Sequence, residues 1–434
     1  MNLLFKYFWL LGSKFRNPKL NSVYNELKHS EHFNSEIHNN QSFEKVKQLL
    51  IFVQEKSSYY RNTFNEIGFD PNRDFNSLDD IKKLPVITKD ILLKNCNDIH
   101  TSFQSEKVFL SETSGTSGQV LKFEKNESWD SFNRAILLYS YEQYDVRPWD
   151  RNGYFWGFNK SPKQRFKTQV FDFLQNRFRL FSYDKEEVKR FLKKLRKAKY
   201  LGGYSSMIYE TAKIALELGF TPLDFPNLKM IKGTSEKIYP YYQDAVIKAF
   251  GHKIISEYGA AETGVIAFEY PCGNMHVFEE NVLVEVDENA GTIVTNFSSY
   301  SFPIIRYSLG DSIEIDVESS CSCGRSTAIV KEIDGRIGKN IFGNVKSYPS
   351  LTLYYIFKNL ALIHQIELQY QGYQIERGKL ILRFPLSISE HVSKLILEES
   401  EKYFQNDIEI QIVDNFEIHT KKTKLRDFIS EVIA

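Results

Sequence analysis

One short segment reads Ser111-Glu112-Thr113-Ser114-Gly115-Thr116-Ser117-Gly118, and it lies between two apolar segments at residues 108–110 and 120–123. This pattern predicts a strand, a loop rich in hydroxyl groups and glycine, and a second strand. Such a loop can direct backbone N–H groups and hydroxyls toward phosphate oxygens, because glycine lets the backbone approach closely. No lysine follows Gly118, so the loop differs from the Gly-x-x-x-x-Gly-Lys-Ser/Thr loop of P-loop NTPases. Taken alone, the segment is equally compatible with an ordinary surface loop.

A second motif, Ser-Glu-Tyr-Gly-Ala-Ala-Glu-Thr-Gly at residues 256–264, follows directly on an apolar segment. A carboxylate at Glu262, at the end of a strand, suits a Mg²⁺ ion that bridges nucleotide phosphates. The ring of Tyr258 could stack on a planar base. The alternative is a strand that ends in a turn with solvated acids.

A third motif, Arg-Tyr-Ser-Leu-Gly-Asp, occupies residues 306–311. An acid held after a glycine turn, as Asp311 would be, can accept hydrogen bonds from both hydroxyls of a ribose. A hairpin with a capping aspartate explains the same residues. None of the three motifs decides a function by itself.

The surrounding sequence predicts an α/β protein. From 185 to 257, helical periods alternate with short apolar segments, which indicates mixed sheets covered by helices. Residues 276–334 alternate in period two and predict a β-rich subdomain. After Gly335 the pattern restarts as a small α+β unit. We therefore predict a large N-terminal domain over 1–336 and a small C-terminal lid domain over 337–434.

The order of the motifs resembles that of the adenylate-forming enzyme superfamily: the Thr/Ser/Gly loop, Tyr-Gly-x-x-Glu, Arg-Tyr-x-x-Gly-Asp, Gly-Arg and a lysine near the C-terminus. Three further segments resemble the phenylacetate–CoA ligase-like family and its capsular-polysaccharide branch, namely residues 59–61, 78–89 and 275–280. The resemblance covers nearly the whole chain. It implies ATP-dependent activation of a carboxylic acid as acyl-AMP with release of pyrophosphate. The acyl group would then pass to coenzyme A, or to an amine or hydroxyl, in surface polysaccharide synthesis.

The resemblance also implies roles for individual residues. Lys424, Glu262 and Arg336 would be catalytic, with Glu262 binding Mg²⁺ and Arg336 at the domain junction. The ATP-binding residues would be Thr113, Ser114, Gly115, Thr116, Ser117, Gly118, Gly233, Thr234, Ser235, Glu236, Glu257, Tyr258, Gly259 and Asp311. Of these, residues 113–118 would hold the β- and γ-phosphates, residues 233–236 would line the adenine site, Tyr258 would stack on adenine, and Asp311 would bind the ribose.

The sequence departs from the family pattern in two places. Thr423 occupies the position of the glycine before the terminal lysine, and Lys421 and Lys422 compete with Lys424 for the catalytic role. Gly338 replaces the acid that usually follows Gly-Arg-x. These changes leave a second class open, a non-catalytic or regulatory nucleotide-binding protein with the same fold.

Three of the four cysteines fall in one region, as Cys272-x-x-x-His276 and Cys321-x-Cys323. Three thiols and an imidazole are the right number and kind of ligands for a closed tetrahedral zinc site, and some members of the resembled family carry a metal-binding cysteine cluster here. Zinc would be structural, because this ligand set implies no open coordination position. Buried free thiols are the alternative.

Charge and composition narrow the possible partners. The 56 basic residues nearly balance the 55 acidic ones, so no excess of positive charge favours nucleic acid. No run approaches the ~20 apolar residues of a membrane-spanning helix. Residues 1–16 are aromatic and apolar with Lys6, Lys14 and Arg16 among them, which predicts a helix on the protein's own surface or, alternatively, a peripheral membrane contact. The partners expected are therefore small molecules, an acid and an acyl acceptor; the cytoplasm is the default location, and the oligomeric state is open.

Overall fold

The computed structural model describes residues 2–103, 105–113, 120–155, 162–180, 185–235, 238, 240–287, 290–317, 321–336, 340–348, 350–366, 368, 370–416 and 428–432, without the side chains of a few of them. The chain divides into two compact units. One comprises residues 1–111 with 123–335, and the other residues 112–122 with 336–434.

The helices are α1 (Asn2–Arg16), α2 (Leu20–Ser30), α3 (Ser35–Lys56), α4 (Ser58–Ile67), α5 (Pro71–Asp74), α6 (Lys89–Lys94), α7 (Cys96–Ile99), α8 (Glu127–Glu142), α9 (Pro162–Leu174), α10 (Lys185–Leu195), α11 (Ser205–Glu217), α12 (Pro240–Phe250), α13 (Leu351–His364) and α14 (Glu390–Phe404). Short 3₁₀ turns occupy Leu78–Lys83, Pro222–Asp224 and Gln405–Asp407. None of the helices in the described part of the chain combines the length and the apolar character needed to cross a membrane.

The strands are β1 (Val108–Glu112), β2 (Lys122–Asn126), β3 (Asn152–Phe155), β4 (Arg177–Arg179), β5 (Tyr200–Tyr204), β6 (Met230–Thr234), β7 (Ile254–Ala260), β8 (Gly264–Glu269), β9 (Met275–Val277), β10 (Val282–Asp287), β11 (Gly291–Asn296), β12 (Tyr307–Ser308), β13 (Asp311–Asp316), β14 (Ile329–Arg336), β15 (Ile341–Phe342), β16 (Ser347–Tyr348), β17 (Gln371–Gln374), β18 (Lys379–Arg383), β19 (Glu409–Val413) and β20 (Phe428–Ser430).

The larger unit is built on a sheet in the order β13-β14-β9-β8-β7-β6-β5-β3-β4. Strands β4, β3, β5, β6 and β7 are parallel, whereas the β7–β8, β8–β9 and β9–β14 pairs are antiparallel. All five residues of β5 are buried, as expected for a parallel strand covered on both faces. Helix α10 buries Val188, Phe191, Leu192 and Leu195, an i, i+3, i+4, i+7 stripe that packs it onto the unit.

A second sheet of the larger unit has the order β10-β11-β12. The smaller unit contains a sheet in the order β19-β18-β17-β20 with helices α13 and α14. Its core includes Leu380 and Leu382 of β18, Phe404 of α14 and Leu353 of α13. The alternating burial of β18 is what a strand with one face on a core requires.

The predicted α/β class with mixed sheets is confirmed. The alternation predicted over 185–257 corresponds to helices α10, α11 and α12 with strands β5, β6 and β7, and the α+β pattern predicted after Gly335 corresponds to α13 and α14 with β17 to β20. The predicted β-rich section at 276–334 contains β9 to β14. The lid role of residues 337–434 stays a prediction.

Candidate functional site

The ends of β6 and β7 place two of the predicted nucleotide-binding segments side by side. The two strands are parallel, with Gly233 opposite Ser256 and Thr234 opposite Glu257. A Cβ atom on Gly233 would lie 2.5 Å from Ser205 Oγ, so only glycine fits between β6 and α11. Ser235 follows with a φ of +68°, a backbone conformation that few non-glycine residues adopt and that often marks a functional turn. Glu236, which completes this segment, lies outside the described residues.

Glu257, predicted to bind the cofactor, is engaged by neighbouring side chains. Lys232 Nζ lies 2.5 Å from Glu257 Oε2, and Thr234 Oγ1 donates to Glu257 Oε1 at 3.1 Å. Burial lowers the pKa of Lys232, but attraction to Glu257 and Tyr141 outweighs it and keeps the net pKa above its usual value. Glu257 therefore neutralises a buried lysine between two strands, and this pair aligns the ends of β6 and β7.

A tight turn between β7 and β8 carries Glu262. Gly264 has a φ of +77°, and a Cβ atom there would lie 2.1 Å from Asn133 Oδ1. That oxygen accepts a hydrogen bond from the Val265 N–H at 3.1 Å, and Asn296 Nδ2 donates to the Thr263 carbonyl at 2.7 Å. Two asparagines from other elements thus hold the turn, and with it the backbone of Glu262.

The Glu262 carboxylate is buried, with 3% of the residue exposed. Tyr307 donates its hydroxyl hydrogen to Glu262 Oε1 at 3.1 Å. Lys125, on β2, interacts electrostatically with Glu262 and Asp130, yet burial lowers its pKa to about 8. Oxygen ligands suit Mg²⁺, and a buried carboxylate oriented by a phenol meets that requirement.

Lys125 was not predicted from the sequence as a residue of the site. It lies in an ordinary strand pattern after the Thr/Ser/Gly loop, and nothing local distinguishes it from Lys122, which is exposed on the same strand. Its ammonium lies over the ring of Trp129, with the nitrogen 5.0 Å from the ring centroid. Burial of one particular lysine is a tertiary property.

Tyr258 and Asp311 meet as a pair. Tyr258 is 6% exposed, and its hydroxyl donates to Asp311 Oδ2 at 3.3 Å. Asp311 begins β13, and Thr292 Oγ1 donates to its carbonyl oxygen at 3.0 Å. The residues predicted for the base and for the ribose are therefore neighbours, although 53 positions separate them in sequence.

Arg306, the arginine of the third motif, has a structural role here. It makes two bonds to the Glu285 carboxylate, at 2.9 and 3.1 Å, and donates to the carbonyl oxygens of Lys82 and Leu84. Next to it, Ile87 forms a parallel bridge with Tyr307. The segment at 78–89 thus braces the backbone that carries Tyr307, whose hydroxyl reaches Glu262.

The remaining predicted residues are only partly described. Thr113 closes the base of the Thr/Ser/Gly loop, since its N–H donates to the Leu121 carbonyl at 3.0 Å and its Oγ1 accepts from the Leu121 N–H at 3.1 Å. Arg336 ends β14, and its side chain is not described. The predicted residues outside the described part of the chain are Ser114, Gly115, Thr116, Ser117, Gly118, Lys421, Lys422 and Lys424, in addition to Glu236, and the departures at Gly338 and Thr423 also lie outside it.

The four predicted metal ligands are brought together. One ligand atom from each of Cys272, His276, Cys321 and Cys323 lies within 4.8 Å of all the others. Cys321 Sγ is 3.5 Å from Cys272 Sγ and 3.1 Å from Cys323 Sγ, and Cys323 Sγ is 3.4 Å from His276 Nε2. Zn–S bonds of about 2.3 Å in a tetrahedron space the sulfurs about 3.8 Å apart. The cluster therefore has nearly the dimensions of a structural zinc site.

Hydrogen bonds around the cluster orient its ligands. His276 Nδ1 lies 3.2 Å from Thr327 Oγ1, which leaves Nε2 directed at the thiols, as in many metal sites where the second ring nitrogen is hydrogen-bonded. Asn274 Nδ2 donates to Cys321 Sγ at 3.2 Å. Burial raises the pKa of Cys321, but bonds donated by the Cys323 N–H and by Asn274 lower it more, to about 5. The environment therefore favours a thiolate.

Comparison with known proteins supports the fold. No protein-family model matches the chain. Two crystal structures of 2-hydroxyisobutyryl-CoA ligase, one in the post-adenylation state with an acyl-AMP and one in the thioesterification state with 2-HIB-AMP and CoA, superpose with a TM-score of 0.61 at 19% identity. Each alignment covers 93% of this chain and 92% or 91% of the ligase. This chain has the adenylate-forming ligase fold.

A sequence relative is Protein CapK of Staphylococcus aureus, which is 27% identical over 312 residues, or 68% of this chain and 67% of CapK. In this fold, Tyr258 lies on β7, Glu262 lies in the turn between β7 and β8, and Asp311 is the first residue of β13. The narrower assignment to the phenylacetate–CoA ligase-like family stays a prediction.

Proposed function

We propose that this protein is an AMP-forming ligase that activates a carboxylic acid with ATP. The observation that carries the proposal is that β7 and the turn after it bear both Tyr258, hydrogen-bonded to Asp311 at the start of β13, and the buried carboxylate of Glu262. An ATP site requires a carboxylate that binds the metal ion, an aromatic ring that stacks on the base, and a second carboxylate that accepts hydrogen bonds from the ribose.

In the first half-reaction, a carboxylate oxygen of the substrate attacks the α-phosphorus of ATP. The bond from that phosphorus to the bridging oxygen breaks, and pyrophosphate leaves with the electron pair. Tyr258 stacks on adenine, Asp311 accepts hydrogen bonds from the ribose hydroxyls, and the loop at 113–118 binds the β- and γ-phosphates. Glu262 would hold Mg²⁺, and the ion would supply positive charge to the phosphates. Catalysis here depends on positioning and charge neutralisation rather than on a protein nucleophile.

Lys424 supplies the remaining positive charge, between the acyl carboxylate and the α-phosphate. In the second half-reaction, a nucleophile on the acceptor attacks the acyl carbon and AMP leaves. Coenzyme A, an amine or a hydroxyl would serve as the acceptor. Arg336, at the predicted domain junction, and the residues that follow it would take part in the change from the first half-reaction to the second.

Two further proposals accompany this activity. The Cys₃His cluster binds one Zn²⁺ ion, which ties the β8–β9 turn to the segment before β14 and has no catalytic task. The resemblance of residues 59–61, 78–89 and 275–280 to the capsular-polysaccharide branch supports a role in making a cell-surface polysaccharide, with the cytoplasm as the predicted compartment.

Acid-dependent ATP–pyrophosphate exchange tests the activity. Aromatic, fatty, amino and sugar acids would be compared, with Glu262→Gln as the variant that removes the proposed Mg²⁺ ligand. Single alanine variants of Lys421, Lys422 and Lys424 would be assayed in parallel. We expect exchange with one class of acid, and its loss in Glu262→Gln and Lys424→Ala but not in the other two lysine variants.

Direct ATP binding, measured by calorimetry with Mg²⁺, separates the alternatives. ATP binding without exchange for any acid would favour the regulatory nucleotide-binding protein. Absence of ATP binding would refute both proposals. If exchange survives Lys424→Ala but is lost in Lys421→Ala or Lys422→Ala, the catalytic lysine is Lys421 or Lys422 instead of Lys424.

A further inference from the structure

Helix α1 is attached to the larger unit by only one side. Phe5 is 5% exposed and its ring lies 5.9 Å from the ring of Phe173 on α9. Trp9, one turn later, packs on Trp149 with 5.1 Å between ring centroids. At its end, Arg16 Nε donates to Asp130 Oδ2 at 3.0 Å. This spacing of about one helical turn defines a single anchoring face.

The rest of the α1 surface is apolar and exposed. Its large exposed apolar residues are Leu3, Leu4, Tyr7, Phe8, Leu10, Leu11 and Phe15. At about 100° per residue, these seven positions span an arc of about 160° that faces away from Phe5 and Trp9. A helix that only packs on its own protein turns its apolar stripe inward and polar residues outward. Here a second apolar face points to solvent.

Helix α9 extends this surface. Phe166 is 71% exposed, Phe171 is 51% exposed and Phe173 is 66% exposed, with Val170 and Leu174 exposed beside them. Phe173 is exposed and also contacts Phe5, so the exposed face of α9 adjoins α1 on its anchoring side. We call the exposed apolar side chains of the two helices the α1–α9 patch. Exposed apolar surface of this kind marks an interaction site.

The charges around the patch are basic. Helix α1 contains Lys6 and Lys14 and no acidic residue, while its Arg16 is paired with Asp130 on the anchoring face. Lys167 is exposed on α9, next to Phe166 in sequence. The acid of α9, Asp172, is buried and bound by both Arg179 Nη2 at 2.8 Å and Arg179 Nε at 2.9 Å. The patch therefore offers cations and little accessible negative charge, which is the complement of an anionic surface.

We propose that the α1–α9 patch docks this protein on a membrane surface that contains anionic lipids. The aromatic and leucine side chains enter the boundary between headgroups and acyl chains, and the lysines contact lipid phosphates. An apolar helix face with basic residues, lying in the interface plane, is the arrangement that binds membranes in this way. The proposal is independent of the ligase activity.

Co-sedimentation of the full chain with vesicles tests it. Phosphatidylcholine vesicles would be compared with vesicles that also contain phosphatidylglycerol. The double variant Leu4→Glu/Leu11→Glu changes two exposed positions of the patch. Leu223→Glu, at a residue that is 90% exposed in the 3₁₀ turn at Pro222–Asp224, makes the same chemical change elsewhere.

We expect the wild-type chain and Leu223→Glu to bind the anionic vesicles, and the double variant to bind at least about tenfold more weakly, because apolar burial is lost. Lys14→Glu is expected to weaken binding to anionic vesicles but not to neutral ones. Raising the ionic strength from about 0.1 M to about 1 M should have the same effect.

Failure of the wild-type chain to sediment with either vesicle overturns the proposal. So does equal binding by the double variant. Sedimentation equilibrium tests for a third outcome, in which the wild type dimerises, the double variant is monomeric, and neither protein binds vesicles. In that case the patch is an interface between two copies of the chain, and the membrane proposal is wrong.

Discussion

Replacement of Lys125 by methionine should stabilise the larger unit at neutral pH. The lysine is charged at pH 7, but burial lowers its pKa from 10.5 to about 8 even with Glu262 and Asp130 nearby. One pKa unit corresponds to about 1.4 kcal/mol, so the lowering of the pKa from 10.5 to about 8 corresponds to about 3.5 kcal/mol of lost folding stability at pH 7. Because the side chain is partly exposed, we expect Lys125→Met to raise the free energy of unfolding by about 2 kcal/mol.

The pH dependence provides a second test of the same reasoning. Between pH 8 and 10.5 the unfolded chain holds a proton on Lys125 that the folded chain has lost. Stability of the wild type therefore rises with pH across this range. The methionine variant lacks this contribution, so its advantage over the wild type should shrink from pH 7 to pH 10.

Urea unfolding followed by tryptophan fluorescence is the assay. Trp129, fully buried beside Lys125, reports on the larger unit. Lys122→Met, at the exposed lysine of the same strand, is the matched control and should change stability by less than about 0.5 kcal/mol. A Lys125→Met protein that is less stable than the wild type at pH 7, or a difference that stays constant up to pH 10, would refute the reasoning.

Three further predictions follow from the described contacts. Cys321→Ala should abolish the binding of one zinc ion per chain, measured by plasma emission spectroscopy, whereas Cys96→Ala, outside the cluster, should leave it intact; zinc that persists in Cys321→Ala contradicts the assigned ligand set. Asp311→Ala should weaken ATP binding by at least about thirtyfold, because bonds to a charged group contribute about 2 kcal/mol; in calorimetry Asp316→Ala, on the same strand, should match the wild type, and equal affinity of both variants would contradict the ribose role. Gly264→Ala should lower the melting temperature, because the new Cβ meets a side chain at 2.1 Å and the backbone φ is +77°; an unchanged melting temperature would contradict the tight turn.

The elements that local pattern determines were predictable from the sequence. The apolar spacing of Val188, Phe191, Leu192 and Leu195 predicts the buried stripe of α10, and the structure has that stripe. Burial in a helix or strand follows from periods of 3.6 and 2, which neighbouring residues define by themselves. The motif residues Tyr258, Glu262 and Asp311 were likewise identified in sequence order.

Contacts between residues that are far apart in the sequence were harder to predict from the sequence. The sequence offered three thiols and an imidazole as a ligand set, but whether Cys272 and His276 meet Cys321 and Cys323 depends on the pairing of β9 with β14, in which His276 lies opposite Ile329. The strand register places Glu257 opposite Thr234, where its carboxylate reaches Lys232 on the neighbouring strand, while its predicted role in binding ATP stays a prediction. No local signal encodes a register between strands.

The sequence by itself therefore determined the chemistry that the chain has available: a hydroxyl-rich loop, the motif acids Glu262 and Asp311 with the ring of Tyr258, and three thiols with one imidazole as metal ligands. The tertiary structure decided which of these side chains meet, and with what partners. It also showed the partly buried ammonium of Lys125 and the exposed apolar face of α1. The reason is that composition and periodicity act over a few residues, whereas burial, desolvation and charge pairing depend on atoms that strand pairing and helix packing bring from far along the chain.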